Sequence, residues 1–313
     1  MNIQHCGNMD KILITGTSGL LGSKIVEKAI GHYKVIPTYG TKPLFPNSVE
    51  TNITDESDVL LVFNKFRPDI VIHTAAETNV DRCEVDREHA RKVNAEGTGN
   101  IARICNKMGA KIVYVSTDYV FGGEKGLYTE EDEPNPISYY GLTKLEGEKY
   151  VTEICEDHVI VRTSVLYGWH PWKPNFVKWV IKSLRERKQI SVVNDHFNSP
   201  TLADNLAEVM LGIIEKDLKG LYHTAGRERI NRFEFTLKIA ETFGLDSSLI
   251  KPTKMSELKT WVAKRPRDSS LCVDKIQKEL KTKLLNVKEG LRTMKEKMGH
   301  EGNNFTRRTR RKT

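Results

Sequence analysis

The chain has 313 residues, 38% of them hydrophobic and 29% charged, which suits one large or two small globular domains with a sizeable buried core. No run of about 18 apolar residues occurs, so there is no transmembrane candidate, and the first residues lack the apolar stretch of a secretory signal. The formal net charge of +8 owes much to Arg307, Arg308, Arg310, Arg311 and Lys312, and the rest of the excess suits an anionic small molecule.

Residues 1–10 read as a flexible extension. Lys11–Thr15 (KILIT) is a short β-branched run that ends in glycines, and Leu20–Ile30 after it is amphipathic. Tyr33–Thr38, Asp69–Ala76 and Lys111–Ser116 are further apolar runs, and Glu88–Met108 between the last two has helical spacing. Unbroken apolar runs suit strands buried on both faces. Alternating with helices, they predict a Rossmann-type, doubly wound parallel α/β sheet over residues 11–165. Glu124–Pro136 is an acidic, proline-bearing loop. Ser138–Cys155 reads as a helix and His158–Thr163 as a strand. A Trp/Pro-rich loop, a helix near Asn175–Arg187, a strand at Gly220–Thr224 and a helix at Arg232–Phe243 predict a smaller α/β substrate lobe over residues 166–290, with some chain crossing between the two parts. Residues 299–313 are expected to be a basic disordered tail that binds no nucleic acid.

Cys6, Cys83, Cys105, Cys155 and Cys272 are scattered, with no C-x-x-C pair. That speaks against a disulfide framework or a metal site and fits a reducing cytoplasm.

Thr15-Gly16-Thr17-Ser18-Gly19-Leu20-Leu21-Gly22 is a G-x-x-G-x-x-G loop between a strand and a helix. Glycines permit the tight turn and a close approach of backbone to a pyrophosphate, and the helix N-terminus offers N–H groups and positive potential to that anion. NAD-preferring sites place a carboxylate at the end of the second strand. Here Pro37-Thr38-Tyr39-Gly40-Thr41-Lys42 has none, and Lys42 can meet a 2′-phosphate. NADP is therefore the expected cofactor, with NAD possible. Asn52 and Ile53 are placed to flank the adenine.

Tyr140-Gly-Leu-Thr-Lys144 opens a predicted helix, and the i, i+4 spacing puts both side chains on one face. A phenol near its ordinary pKa of about 10 is a poor acid–base group at neutrality. An adjacent ammonium would lower that value, and the tyrosine would protonate a carbonyl oxygen as hydride reaches its carbon. Ser116-Thr117-Asp118 follows a predicted strand, at the end of a sheet where ligands bind. Thr117 is the preferred third active-site residue. Lys173, Arg229 and Arg265 are candidate cations for a substrate diphosphate.

Several segments resemble the extended short-chain dehydrogenase/reductases: TGTSGLLG, HTAAETNVD (His73–Asp81), VNAEGT (Val93–Thr98), VSTDYVFGG (Val115–Gly123) and YYGLTKLEGE (Tyr139–Glu148). The last two are most similar to the dTDP-4-dehydrorhamnose (RmlD-like) reductases. RTSVLYG (Arg162–Gly168), HFNSPT (His196–Thr201), GLYHTAG (Gly220–Gly226) and RPRDSSL (Arg265–Leu271) carry the similarity through most of residues 11–285. The resemblance implies NAD(P)H-dependent reduction of the 4-keto group of a dTDP-linked 6-deoxy sugar, in dTDP-L-rhamnose synthesis. It assigns catalysis to Thr117, Tyr140 and Lys144. It puts Gly16, Ser18, Gly19, Leu20, Leu21 and Gly22 at the pyrophosphate and Tyr39, Lys42, Asn52 and Ile53 around the adenosine. Ala75 and Ala76 fall near the cofactor phosphates and ribose, and Asn94 beside the active-site helix. Thr117, Asp118, Val165, Asn175 and Arg265 would line the substrate. Two departures stand out. Val165 replaces a common tryptophan against the sugar, and Asp195-His196-Phe197-Asn198-Ser199-Pro200-Thr201 replaces D-Q-F-G-x-P-T.

RTSVLYG and the segment from His223 to Pro252 also resemble the regulatory beta subunit of methionine adenosyltransferase, which binds NADP as an interaction partner. A sugar-nucleotide epimerase or dehydratase on the same fold is a third reading, although Tyr119 follows Asp118 where dehydratases add acidic residues. The expected partner is a nucleotide sugar, with no membrane contact and a homodimer possible.

Overall fold

The computed structural model describes residues 9–309 apart from residue 259, and for residues 299–309 the backbone course alone. The expected N-terminal extension falls outside the described residues as far as residue 8.

The strands, in chain order, are β1 (Lys11–Thr15), β2 (Lys34–Tyr39), β3 (Val49–Glu50), β4 (Ile70–His73), β5 (Lys111–Thr117), β6 (His158–Thr163) and β7 (Leu166–Tyr167). After them come β8 (Ile190–Val193), β9 (Phe197–Asn198), β10 (Thr201–Leu202), β11 (Gly220–His223), β12 (Ile230–Asn231) and β13 (Ile250–Thr253). The helices begin with α1 (Leu20–Ala29), α2 (Glu56–Phe66), α3 (Val80–Val85), α4 (Arg87–Arg91), α5 (Gly97–Met108) and α6 (Tyr139–Ile154). They continue with α7 (Phe176–Arg185), α8 (Ala203–Glu215), α9 (Arg232–Phe243), α10 (Asp274–Glu279) and α11 (Val287–Thr309).

Seven strands make one parallel sheet in the order β11-β6-β5-β4-β1-β2-β3. The order reverses between β1 and β4, and ligands of such sheets bind beyond the strand C-termini at that switch point. Alternation along β1 divides the core. Ile12 and Ile14 face Ile25, Leu206 and Met210 of α1 and α8, while Leu13 faces Phe63, Ile101 and Val151 of α2, α5 and α6. A separate core of Tyr167, Val177, Val180, Phe235, Ile239 and Leu291 holds α7, α9 and α11 together as the smaller lobe.

The two parts do not divide at one point in the chain. α8 packs on α1, and β11 pairs with β6, Leu221 opposite Ile160, so this later stretch belongs to the larger body. β4 is shorter than the Asp69–Ala76 run. Thr74 Oγ1 donates to the Thr15 carbonyl at 2.6 Å, and Thr15 Oγ1 accepts from the Thr74 and Ala75 amides, which turns the chain out of the sheet. The Glu88–Met108 stretch is helical but contains a π turn over Lys92–Glu96. The stretch expected to be a disordered tail from residue 299 instead continues the backbone of α11 to Thr309. Propagating a helix from a packed start, here Val287, Leu291 and Met294, is far easier than nucleating one. Residues 310–313 lie outside the described residues. Among the described residues no helix is long and apolar enough to cross a membrane.

Candidate active site

The glycine loop turns over the C-terminal end of β1. Gly16 has φ +72°, and a Cβ there would sit 2.8 Å from the Ala75 backbone. A Cβ on Gly22 would lie 2.5 Å from the Gly16 carbonyl oxygen. The loop is therefore a closed cradle that larger residues would force apart. Gly19 caps α1 without a side chain, and no acidic residue occupies the first turn, so the N–H groups of the first turn are left for an anion. Leu20 begins α1, and Leu21 is buried in the core, so these two can offer backbone alone. Ser18 Oγ donates to the carbonyl of Lys42, which ties the loop to the chain after β2. The Lys42 ammonium lies 4.3 Å from the centroid of the Trp172 ring. Tyr39 ends β2 and its carbonyl accepts from Thr51 N at 2.9 Å. Asn52 is exposed but caps its own turn through Thr54, whereas the Ile53 side chain is buried against α5. Ala75 and Ala76 border the groove after β4. These residues fit a dinucleotide pyrophosphate and ribose.

Thr117 ends β5, and Tyr140 and Lys144 lie in the first turns of α6. Ser138 starts that helix by accepting from Gly141 N at 3.2 Å. Asn94, in the π turn, fixes α6 from the side. Its Nδ2 donates to Thr143 Oγ1 at 3.2 Å and to the Glu77 carbonyl at 3.0 Å, and its Oδ1 accepts from Glu77 N. Thr117 lies close enough to act on the Tyr140 phenol, but burial dominates and drives the phenol pKa well up. It is thus a fully protonated O–H at neutral pH. The expected lowering by Lys144 is not what dominates here. Lys144 Nζ donates to the Val115 carbonyl at 2.7 Å and sits 4.2 Å from the Tyr114 ring centroid. Burial lowers the Lys144 pKa to about 7, against a smaller opposing effect of Glu148.

Asp118 differs most from its expected role. It is 2% exposed, and its carboxylate accepts from Thr117 Oγ1 at 3.1 Å, Ser164 Oγ at 2.8 Å and Ser269 Oγ at 2.5 Å. With its oxygens committed, Asp118 orients Thr117 and joins β5 to the lobe rather than facing a sugar. Asn175 is likewise engaged. Its Oδ1 caps α7 at Lys178 N, and its Nδ2 donates to the Gly168 carbonyl at 2.8 Å. Arg265 is not a free cation, because it grips Asp81 through two bonds of 2.6 and 2.7 Å. Arg229 bonds Asp268 at 2.6 Å and stacks on Phe197. Lys173 is exposed on the Trp/Pro-rich loop, where its amide donates to His170 Nδ1.

A family model described as the RmlD substrate binding domain matches residues 9–299. The chain belongs to that family. A probable low-salt glycan biosynthesis reductase of Haloferax volcanii is 35% identical over 274 residues, covering 85% of this chain and 91% of that protein. Methionine adenosyltransferase 2 subunit beta of Bos taurus is 31% identical over 274 residues, covering 85% of this chain and 81% of that protein. Among solved structures, a dTDP-4-dehydrorhamnose reductase from Bacillus anthracis in complex with NADP is 34% identical, with a TM-score of 0.85, covering 92% of this chain and 99% of that one. The fold is the extended short-chain dehydrogenase/reductase fold.

In this RmlD-family chain Val165 follows β6 with φ +41°, an uncommon and strained conformation for a β-branched residue. Its carbonyl accepts from Thr201 N at 3.1 Å, which locks the turn where the chain leaves the sheet. Two features escaped the sequence reading. Glu148, on α6, takes two bonds from Arg162 of β6 at 2.9 and 2.7 Å and one from Ser116 at 2.5 Å, all buried. This bolts the catalytic helix to the strands beneath it. The second is Arg232, at the start of α9, whose Nη1 is buried without a hydrogen-bond partner. The glutamate was legible as part of the YGLTKLEGE motif, but no local spacing marks the arginine.

Proposed function

We propose that this protein is an NADP-preferring reductase that converts the 4-keto group of a nucleotide-linked 6-deoxy sugar, most simply a dTDP-linked one, to an alcohol. The protein is an NAD(P)-dependent oxidoreductase. The observation that carries the reading is the closeness of the buried Tyr140 phenol of α6 to Thr117 at the C-terminal end of β5, in a sheet whose first strand ends in a glycine loop built for a pyrophosphate. A bound reduced nicotinamide supplies hydride to the carbonyl carbon. Tyr140, kept protonated by burial, gives its proton to the carbonyl oxygen as charge develops there. Thr117, held by Asp118, sets the direction of that phenol. Lys144 brings a titrating amine to the site, where an anionic cofactor favours its charged form. Lys42 near the glycine loop supports NADP over NAD.

A regulatory role is the second reading, favoured by the identity to methionine adenosyltransferase 2 subunit beta. Turnover separates the two. With dTDP-4-keto-6-deoxy sugars the reductase reading expects NADPH oxidation, at a higher kcat/KM than with NADH. Tight nucleotide binding without oxidation, together with capture of a methionine adenosyltransferase, would favour the regulator. A preference for NADH would remove the role given to Lys42.

A further inference from the structure

Of the arginines at positions 229, 232 and 265, two are neutralised. Arg229 is paired with Asp268 and Arg265 with Asp81. Arg232 is the exception. It begins α9 directly after the β12 strand, its backbone N–H donates to the His196 carbonyl at 3.1 Å, and its guanidinium lies 4.7 Å from the Phe176 ring centroid. Nη1 is buried with no hydrogen-bond partner, and no carboxylate pairs with the side chain among the described residues.

The side chain is half-buried, and a guanidinium with no carboxylate of its own leaves its exposed part to an anion that arrives later. Its surroundings place that anion. The charged and phenolic groups that act on Arg232 are Tyr119, Asp118 and Arg265. The Tyr119 ring meets Tyr140 edge to face at 5.9 Å. Tyr119 therefore links the surroundings of Arg232 to Tyr140. Asp118 cannot satisfy it, because three hydroxyls already occupy that carboxylate.

We propose that the Arg232 guanidinium binds the diphosphate of the nucleotide-linked substrate. The proposal rests on the nucleotide-sugar reading above. A planar, always charged guanidinium suits bidentate phosphate contact, and Phe176 beneath it fixes its plane. The diphosphate role expected for Arg265 thus moves to the neighbour that has no carboxylate of its own.

The test is calorimetric titration of the NADP-saturated protein with dTDP and with thymidine. Arg232→Gln should weaken dTDP about 10- to 100-fold, the loss of one charge-assisted hydrogen bond, and leave thymidine and NADPH binding as in wild type. Arg232→Lys should lose less, because it keeps the charge. The Gln variant should also melt no lower than wild type without nucleotide, since it removes a charge that no carboxylate offsets; a structural role predicts a lower Tm instead. If Arg232→Gln binds dTDP as tightly as wild type does, the proposal is wrong and the nucleotide-sugar reading survives. If wild type binds none of dTDP, UDP and GDP, both are wrong.

Discussion

Asp118→Asn probes how Thr117, the proposed partner of Tyr140, is held. The carboxylate accepts three hydroxyls, at 3.1, 2.8 and 2.5 Å, in a site that excludes water. A hydrogen bond to a charged group contributes about 1.5–3 kcal/mol against about 0.5–1.5 for a neutral pair, so three bonds lose roughly 3 kcal/mol in total. Relief of the buried charge offsets part of this, because burial already pushes the Asp118 pKa up against its hydrogen bonds. The net loss of stability is about 1–3 kcal/mol, a fall in Tm of roughly 3–9 °C for a large domain. The amide must also turn an N–H towards a hydroxyl that now donates. Thr117 then loses its fixed orientation, and kcat should fall about 10- to 100-fold with KM for NADPH unchanged. Differential scanning calorimetry and steady-state NADPH oxidation read the two effects. A lower Tm with unchanged kcat would refute the positioning role, and no change in either would refute the network.

Two further outcomes follow from the site. Burial lowers Lys144 from 10.5 to about 7, so between those values the native protein binds fewer protons than the unfolded chain, and stability of the cofactor-free protein rises with pH across that window. Urea midpoints from pH 7 to 9 should climb in wild type and flatten in Lys144→Met; a falling midpoint would contradict the burial. Val165→Gly relieves a strained φ of +41° and should hold stability or raise it by up to about 1 kcal/mol, where Val→Gly in ordinary backbone costs stability. A drop of several degrees in Tm would show that the turn is unstrained.

The doubly wound sheet was legible because its strands are apolar on both faces, so periodicity and turn residues agreed from Lys11 to Thr163. Spacing and context singled out Thr117, Tyr140 and Lys144, and the fold places Thr117 at the end of β5 with Tyr140 and Lys144 in the first turns of α6. What the sequence hid depends on distant partners. Arg265 read as a free cation, yet Asp81, 184 residues earlier, occupies it. Asp118 read as a sugar contact, yet Ser164 and Ser269 reach it from other segments. Arg232 lay inside the His223–Pro252 resemblance but was given no role there, and only the lack of a carboxylate partner in the fold makes it informative. α8 went unassigned because most of its residues are buried, as in a helix packed against both α1 and the sheet.

The measurement closest to the central claim is turnover of a dTDP-4-keto-6-deoxy sugar with NADPH by wild type and by Tyr140→Phe. The phenylalanine keeps the ring against Tyr119 and deletes the one O–H that Thr117 orients. The account predicts NADPH oxidation by wild type, a loss of about 10²- to 10⁴-fold in kcat for the variant, and nearly unchanged NADPH affinity. Turnover by Tyr140→Phe at the wild-type rate would contradict it.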